Sequence, residues 1–135
     1  MNGLFEKYFS FHGRLARLPY FARGFQVGVA ATVPFIMSTA AFINGDGILR
    51  GIGFLLVAVA GAIFAGGFAS LVVRRLHDLG LPGYHAIWVA IALPLSNTAF
   101  YSHNYNAILL NLPFVAIGLW IQLWPGQRGP NRFGE

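Results

Sequence analysis

The sequence predicts an all-α integral membrane protein, a bundle of four transmembrane helices with a short interfacial helix at the N-terminus. Hydrophobic residues make up 56% of the chain and charged residues 10%, whereas an ordinary soluble domain carries about 25% charged residues. The apolar residues also fall in four long blocks, as expected of a chain whose solvent is lipid. All 135 residues are therefore predicted to form one membrane domain.

The N-terminal segment 4–17 is predicted to be amphipathic and helical. Apolar and aromatic residues recur there at helical spacing, at Leu4, Phe5, Tyr8, Phe9, His12 and Leu15. Charged residues occupy the remaining faces, which suits a helix lying in the headgroup layer. Docking of the same apolar face on the protein's own loops is an equally favoured interpretation.

Four apolar blocks meet the length rule for a membrane span, about 20 mostly apolar residues with a rise of about 1.5 Å each. None of them contains Asp, Glu, Lys or Arg, and they cover residues 24–43, 51–73, 84–101 and 107–124. The third and fourth blocks contain Pro94 and Pro113 beside polar residues. Kinked or re-entrant forms of these two spans therefore stay open.

A cleaved signal peptide is the alternative interpretation of the first block. The 23 residues before that block and its 20-residue apolar run are both long for a signal peptide, whose apolar region has about 7–15 residues. The first block is therefore expected to remain in the protein as a span.

Positive charges predict the orientation of the spans. Eight of the nine Lys and Arg residues lie in the N-terminal segment, in the loop after the second block or in the tail 125–135, and only Arg50 lies elsewhere. With four spans these three segments share one side of the membrane, and the excess of Lys and Arg places that side in the cytoplasm. Both termini are therefore predicted to be cytoplasmic.

Small residues on the first two spans predict helix packing. They recur every four residues, at Gly24 and Gly28 on the first span and at Ala58, Ala62, Gly66 and Ser70 on the second. Such rows let backbones approach closely in lipid. The two spans are predicted to pack together, and homo-oligomerisation through the same surface stays open.

The densest group of titratable residues directly follows the second block, in Arg74-Arg75-Leu76-His77-Asp78-Leu79-Gly80. Gly80 and Pro82 form a helix-stop signal, so the helix is predicted to continue through Leu79. A carboxylate at a helix C-terminus is disfavoured by the helix dipole and needs a cationic partner. Arg74, four residues before Asp78, permits a helical ion pair.

Asp78 is further predicted to bridge the N-terminal segment and the tail, which supply other cationic partners. The predicted cytoplasmic cluster comprises Arg14, Arg17, Arg74, Arg75, His77, Asp78, Asn131 and Arg132. It is assigned either a structural role or the binding of lipid or a partner.

Three spaced motifs carry a family resemblance. They are Phe-x-Gly-Arg-x-x-Arg at 11–17, Arg-Arg-Leu-His-Asp-x-Gly at 74–80 and Gly-x-Asn-Arg-Phe-Gly at 129–134. With them the chain resembles, from about Phe9 to Gly134, the bacterial inner-membrane family catalogued as domain of unknown function 805. The resemblance implies a small multi-span protein of the bacterial inner membrane, with no established biochemical activity. The chain lacks the acidic residue that the family usually has soon after its first arginine pair.

No catalytic, metal-binding or cofactor-binding residues are assigned, and no cofactor is expected. The chain contains no cysteine, which removes disulfides, thiolate metal sites and cysteine nucleophiles. His77 and Asp78 are adjacent on a helix and point about 100° apart, so they do not form a catalytic dyad by themselves. An enzyme that uses these two residues is therefore a disfavoured alternative.

The preferred interpretation is a non-catalytic binding or accessory component. Its basic cytoplasmic face would contact anionic lipid headgroups, each charge contributing about 1 kcal/mol, or a protein partner. A small transporter or pore subunit that acts as an oligomer is the alternative, although the spans contain no charged residue of the kind that coupled carriers use. Nucleic acid is not an expected partner, because membrane topology already explains the basic residues.

Overall fold

The computed structural model describes residues 2–89 and 105–134. Its regular elements are helical, and in chain order they are α1 (Asn2–Phe9), α2 (Arg17–Asn44), α3 (Gly47–Asp78), a 3-10 turn (Gly83–His85) and α4 (Tyr105–Leu123). Residues 86–89 are also helical, and an isolated β-bridge joins Asn131 and Gly134. The predicted all-α class is confirmed.

The apolar blocks coincide with these helices where the structure describes them. α2 and α3 contain the whole of the first and second blocks, and α4 contains the fourth block except for Trp124. The third block begins in the 3-10 turn, and its residues 90–101 lie outside the described residues. Asp46 sets the start of α3, because its Oδ1 accepts a hydrogen bond from the Leu49 N–H at 3.2 Å, as an N-cap does.

Among the described residues, two helices, α2 and α3, are long and apolar enough to cross a membrane. Their 28 and 32 residues correspond to about 42 and 48 Å, against a hydrocarbon layer of about 30 Å. In the most apolar 18-residue stretch of each helix, only 17% (α2) and 28% (α3) is buried. The core helix of a soluble protein is mostly buried. Large apolar side chains such as Phe25, Ile36, Phe54 and Leu55 are more than half exposed, as expected of helices surrounded by lipid.

The chain forms two compact units, and α2 and α3 each contribute residues to both. Unit 1 is Met1–Ser10 with Phe21–Leu71, and unit 2 is Phe11–Tyr20 with Val72–Glu135.

Within unit 1, α2 and α3 pack closely through small residues of α3. A Cβ placed on Gly67 would lie 3.1 Å from both γ carbons of Val27, and one on Gly53 would lie 3.3 Å from the Phe42 ring. Ala60, midway between the two glycines, is 5% exposed. These three residues are seven apart, and because a straight helix drifts only about 20° per seven residues, they share one face.

This contact face differs from the predicted one. The sequence predicted contact through four small residues of α3: Ala58, Ala62, Gly66 and Ser70. Ala58 and Ala62 are exposed, Gly66 lies beneath the ring of Phe9, and the Ser70 hydroxyl donates to the carbonyl of Ser10. A row spaced by four residues turns about 40° per step around the helix. The row starts at Ala58, about 160° around the helix from Ala60, so it begins on the exposed side of α3 and reaches the end of α1 only at Gly66.

The predicted glycines of α2 are not at this contact. Apart from the chain neighbours and the nearby backbone of α2 itself, no described atom lies within 4 Å of a Cβ placed on Gly24 or Gly28. Val27 and Ala31, which are both buried, provide the α2 side instead, because they lie on the face turned towards Gly67 and Ala60.

The N-terminal helix is shorter than predicted. α1 ends at Phe9, and Gly13 adopts a left-handed φ of +82°. Leu15 is buried and donates its N–H to the carbonyl of Arg74 at 3.0 Å. Residues 10–16 leave the helical path, and three of their backbone groups, the Leu15 N–H and the carbonyls of Ser10 and Gly13, contact the C-terminal part of α3 instead.

Candidate functional site

The polar centre of unit 2 is built around the last residue of α3. We call it the Asp78 cluster and define it as Arg14, Arg75, Asp78, Gln127 and Asn131. The chain reverses direction directly after Asp78, because Gly80 adopts a φ of +79°. Gly80 N–H donates to the carbonyl of His77 and Leu81 N–H to that of Leu76, the paired bonds of a Schellman motif. α3 thus ends one residue before the predicted Leu79.

Asp78 is buried, at 6% exposed, and accepts hydrogen bonds from two arginines. Its Oδ1 accepts from Arg14 Nε at 3.3 Å and from Arg14 Nη2 at 3.1 Å. Its Oδ2 accepts from Arg75 Nη1. A buried carboxylate is costly unless it is paired and hydrogen-bonded, and here both oxygens are satisfied by cations.

Arg75 connects Asp78 to the end of α4. Its side chain is fully buried, and it donates through Nε to the carbonyl of Ile121 at 2.8 Å and through Nη2 to the carbonyl of Trp124. Carbonyls in the last turn of a helix lack partners within the helix and attract cations. Burial lowers the pKa of Arg75 from its ordinary value, and the charge of Asp78 opposes this shift. The guanidinium therefore caps α4 while it neutralises Asp78.

Arg14 joins the N-terminal segment to the tail. Besides Asp78, it donates to the carbonyls of Gln127, Gly129 and, more distantly, Gly134. A guanidinium has five N–H donors in a planar fork, and those of Arg14 are directed at four protein acceptor atoms. Gln127 N–H adds a bond to the backbone carbonyl of Asp78 at 2.8 Å. The predicted contact of Asp78 with Arg14 is confirmed, and the tail reaches Asp78 through Gln127 N–H, whereas the predicted tail cation Arg132 lies near the carbonyl of Gly80.

A second layer holds the tail against the end of α3. Asn131 donates through Nδ2 to the carbonyl of His77 and to Gln127 Oε1, each at 3.0 Å. Its Oδ1 accepts from Phe133 N–H. The ring of Phe133 stacks on that of His77 with centroids 4.0 Å apart. His77 Nδ1 also lies 3.1 Å from the carbonyl of Gly13.

Close backbone approach at Gly126 packs the tail onto the carboxylate. A Cβ placed on Gly126 would overlap both carboxylate oxygens of Asp78. A Cβ on Gly80 would likewise overlap the side-chain amide of Gln127. Glycine at these two positions lets the tail reach the cluster.

The structure thus brings five of the eight predicted cluster residues together: Arg14, Arg75, His77, Asp78 and Asn131. The helical partner of Asp78 is Arg75, three residues earlier, where the sequence favoured Arg74. Arg75 is selected because its side chain also reaches the carbonyls at the end of α4.

The other predicted arginines lie at the edge of the cluster or near it. Arg132 is exposed, with Nη2 3.5 Å from the carbonyl of Gly80 and its guanidinium 4.7 Å from the Phe133 ring centroid. Arg17 is exposed at the start of α2, and its charge contributes to lowering the pKa of Arg75.

Sequence reasoning missed Gln127, Gly126 and the two carbonyls at the end of α4. The position of Gln127, a polar residue next to a glycine in the tail, was only a weak indication that it belongs to the cluster. Backbone carbonyls carry no sequence signal at all, so only the structure shows that Arg75 caps α4.

The cluster is chemically suited to hold segments together. A depression of about 500 Å³ lies beside it, lined by Arg14, Ala16, Asp78, Gly129 and Pro130. The charged groups on its wall, Arg14 and Asp78, are already paired with each other. Among residues 2–89 and 105–134, no group of three His, Cys, Asp or Glu residues is placed to hold a metal ion.

Residues 2–89 and 105–134 thus define an all-α protein that includes two membrane-compatible helices and a buried arginine–aspartate cluster. Over residues 8–135 the chain matches the family model described as "Protein of unknown function (DUF805)". The chain belongs to this family, in agreement with the resemblance of its three motifs. No curated protein and no solved structure matches the chain.

Proposed function

We propose that this protein crosses the bacterial inner membrane four times and has both termini in the cytoplasm. The lengths of α2 and α3 support the first two spans. α4, with 19 residues, has about the length that one crossing needs. The distribution of Lys and Arg supports the orientation.

The absence of cysteine from the chain makes the topology directly testable. Asn44→Cys and Arg128→Cys each introduce a single thiol, the first on the predicted outer side and the second in the predicted cytoplasmic tail. In intact cells a membrane-impermeant maleimide should label only Asn44→Cys, and both variants should react after permeabilisation. Labelling of Arg128→Cys in intact cells would contradict the proposed orientation.

Within this topology we propose a non-catalytic binding role towards anionic lipid headgroups at the cytoplasmic surface. One observation carries the proposal: the acid of the cluster is buried and neutralised by Arg14 and Arg75. Arg17, Arg128 and Arg132 are exposed and add positive charge beyond what Asp78 balances. A basic surface at headgroup level attracts anionic lipid.

The contacts of His77 and Asp78 support a non-catalytic role. The His77 ring is stacked on Phe133 and lies beside the carbonyl of Gly13, while Asp78 is held by two arginines. A general base needs a substrate proton within hydrogen-bond reach, and the observed contacts direct both groups at the protein itself.

The test replaces the three exposed arginines together, as Arg17→Gln, Arg128→Gln and Arg132→Gln. Native mass spectrometry from mixed phosphatidylglycerol and phosphatidylcholine nanodiscs measures the preference for the anionic lipid. That preference should fall roughly fivefold per charge removed, because each charge near the surface contributes about 1 kcal/mol. The matched control, Arg→Lys at the same positions, keeps the charge and should keep the preference.

An unchanged lipid preference in the Gln variant would contradict the proposal. Crosslinking in intact membranes is the independent check. Recovery of a stoichiometric protein partner that depends on the same arginines would replace lipid binding with protein binding.

A further inference from the structure

A second cavity, of about 370 Å³, lies within unit 1. Residues of α1, α2 and α3 line it: Tyr8, Phe9, Gln26, Val27, Ala30 and Ile63. Its volume falls within the range of about 300–1,000 Å³ that ligand pockets occupy. It belongs to a different part of the chain from the Asp78 cluster.

The cavity has apolar walls. The Phe9 ring packs over Gly66, where a Cβ would lie 3.2 Å from it, and Val27 is 4% exposed. Ile63 and the methyl group of Ala30 complete the lining. An apolar guest gains free energy here in proportion to the apolar area that it buries.

The size of the cavity favours a flexible hydrocarbon chain over a protein helix as its occupant. One turn of an α-helix about 10 Å across and 5.4 Å long occupies roughly 420 Å³, which exceeds the whole cavity. A flexible hydrocarbon chain fits an irregular apolar space of this size. The neighbouring helices, α2 and α3, are long enough to cross a membrane, so acyl chains are the abundant guests of that shape.

Two polar residues, Tyr8 and Gln26, line the cavity, and two basic residues, Lys7 and Arg23, lie near Tyr8. The Tyr8 hydroxyl donates to Gln26 Oε1, and the Gln26 amide also carries N–H donors of the kind that an ester carbonyl accepts. Lys7 Nζ lies 5.2 Å from the Tyr8 ring centroid, and Arg23 Nη1 lies 3.4 Å from the Lys7 carbonyl. These two cations outnumber Glu6, the acidic residue of α1.

We propose that this cavity binds one acyl chain of an anionic glycerophospholipid, with the headgroup beside Lys7 and Arg23. α1 would cover the chain, and its exposed Leu4 and Phe5 would hold it at the membrane surface, as in other interfacial helices. The proposal goes beyond headgroup contact at the exposed arginines of unit 2, since it assigns a defined lipid site to unit 1.

The test uses nanodiscs that contain phosphatidylglycerol with a photoreactive diazirine on the acyl chain. After irradiation, peptide mapping by mass spectrometry measures the adducts at Tyr8 and Ile63. Ala30→Phe fills the cavity and should reduce these adducts roughly tenfold, since the loss of two buried methylenes is already worth that factor. Ala40→Phe, at another exposed alanine of α2, is the matched control and should leave them unchanged.

The headgroup preference is tested with the corresponding diazirine phosphatidylcholine. The unaltered protein should give more adduct with phosphatidylglycerol, and Lys7→Gln with Arg23→Gln should lower that preference roughly fivefold per charge. If Ala30→Phe fails to fold, Ile63→Phe fills the cavity from α3 and replaces it, with the adducts at Tyr8 as the readout.

Equal adduct yields in Ala30→Phe and Ala40→Phe would overturn the acyl-chain site. Equal yields from the two lipids would overturn its anionic specificity. The Gln variant of the three exposed arginines separates this proposal from the previous one, because it should leave the adducts at Tyr8 and Ile63 intact.

Discussion

Different interactions stabilise the interior of unit 1 and the interior of unit 2. In unit 1, α2 and α3 meet through small and apolar residues such as Gly67, Ala60 and Val27, and none of the contact residues named for this pair of helices is charged. In unit 2, a buried aspartate and two arginines join the end of α3 to the tail and to α4.

The contrast follows from what each unit must satisfy. Apolar helices in lipid gain little from the hydrophobic effect, so close van der Waals packing stabilises their contact. The end of α4 and the loops of unit 2 present unpaired backbone groups that need hydrogen-bond partners. Substitutions in unit 2 should therefore cost more than substitutions of similar size in unit 1.

The largest effect is expected for Asp78→Asn. It leaves the Arg75 guanidinium buried without its counter-charge, and removal of one partner of a buried ion pair costs about 3–5 kcal/mol. Thermal unfolding in detergent micelles, followed by circular dichroism, measures the loss. Asp46→Asn is the matched control, because Asn serves nearly as well as Asp as an N-cap. If Asp78→Asn and Asp46→Asn were equally stable, the ion pairs of Asp78 would not be what stabilises unit 2.

A smaller loss is expected for Gly126→Ala, about 1–3 kcal/mol, because the added methyl overlaps the Asp78 carboxylate and the tail must shift. The control Gly118→Ala lies in α4, where no described atom apart from the chain neighbours and the nearby backbone of α4 lies within 4 Å of a Cβ. Alanine there should stabilise the helix by about 0.5–1 kcal/mol. Limited proteolysis of the tail gives a second readout, and a tail in Gly126→Ala as protected as in the unaltered protein would contradict the close approach.

The smallest effect is expected in unit 1. Gly67→Ala places a methyl 3.1 Å from Val27, whereas Gly61→Ala on the same helix enters open space. Both substitutions raise helix propensity by the same amount. The difference between their free energies of unfolding therefore gives the packing cost at Gly67, which we expect to be about 1 kcal/mol. Thermal unfolding of the two variants side by side measures that difference. A Gly67→Ala protein as stable as Gly61→Ala would show that the α2–α3 contact adapts easily.

The bond network of unit 2 was only partly predictable. The need of Asp78 for a cation followed from its position at a helix end. Arginines of the N-terminal segment and the tail were predicted as its partners, but the choice of Arg14 among them was not. The choice of Arg75 over Arg74 did not follow, because both lie within one helical turn of Asp78. That choice depends on the carbonyls of Ile121 and Trp124, which only the folded chain brings within reach.

The contact face of unit 1 shows the same limit. Small residues on α3 indicated close packing, yet rows spaced by four and by seven residues both occur in this glycine- and alanine-rich helix. The sequence pattern favoured the row through Ala58 and Ala62. The structure uses the row through Gly53, Ala60 and Gly67, because a seven-residue spacing keeps a long contact on one face.

The sequence by itself determined the all-α class, the apolar blocks that became α2 and α3, and the helix stop at Gly80. These features depend on composition and on local backbone preference, which neighbouring residues in the chain set. Only the tertiary structure decided the partners of Asp78, the end of α1 at Phe9 and the face of α3 that meets α2. They depend on hydrogen bonds and packing between segments distant in the chain, where the geometry of both partners selects one contact among several that the residue types allow.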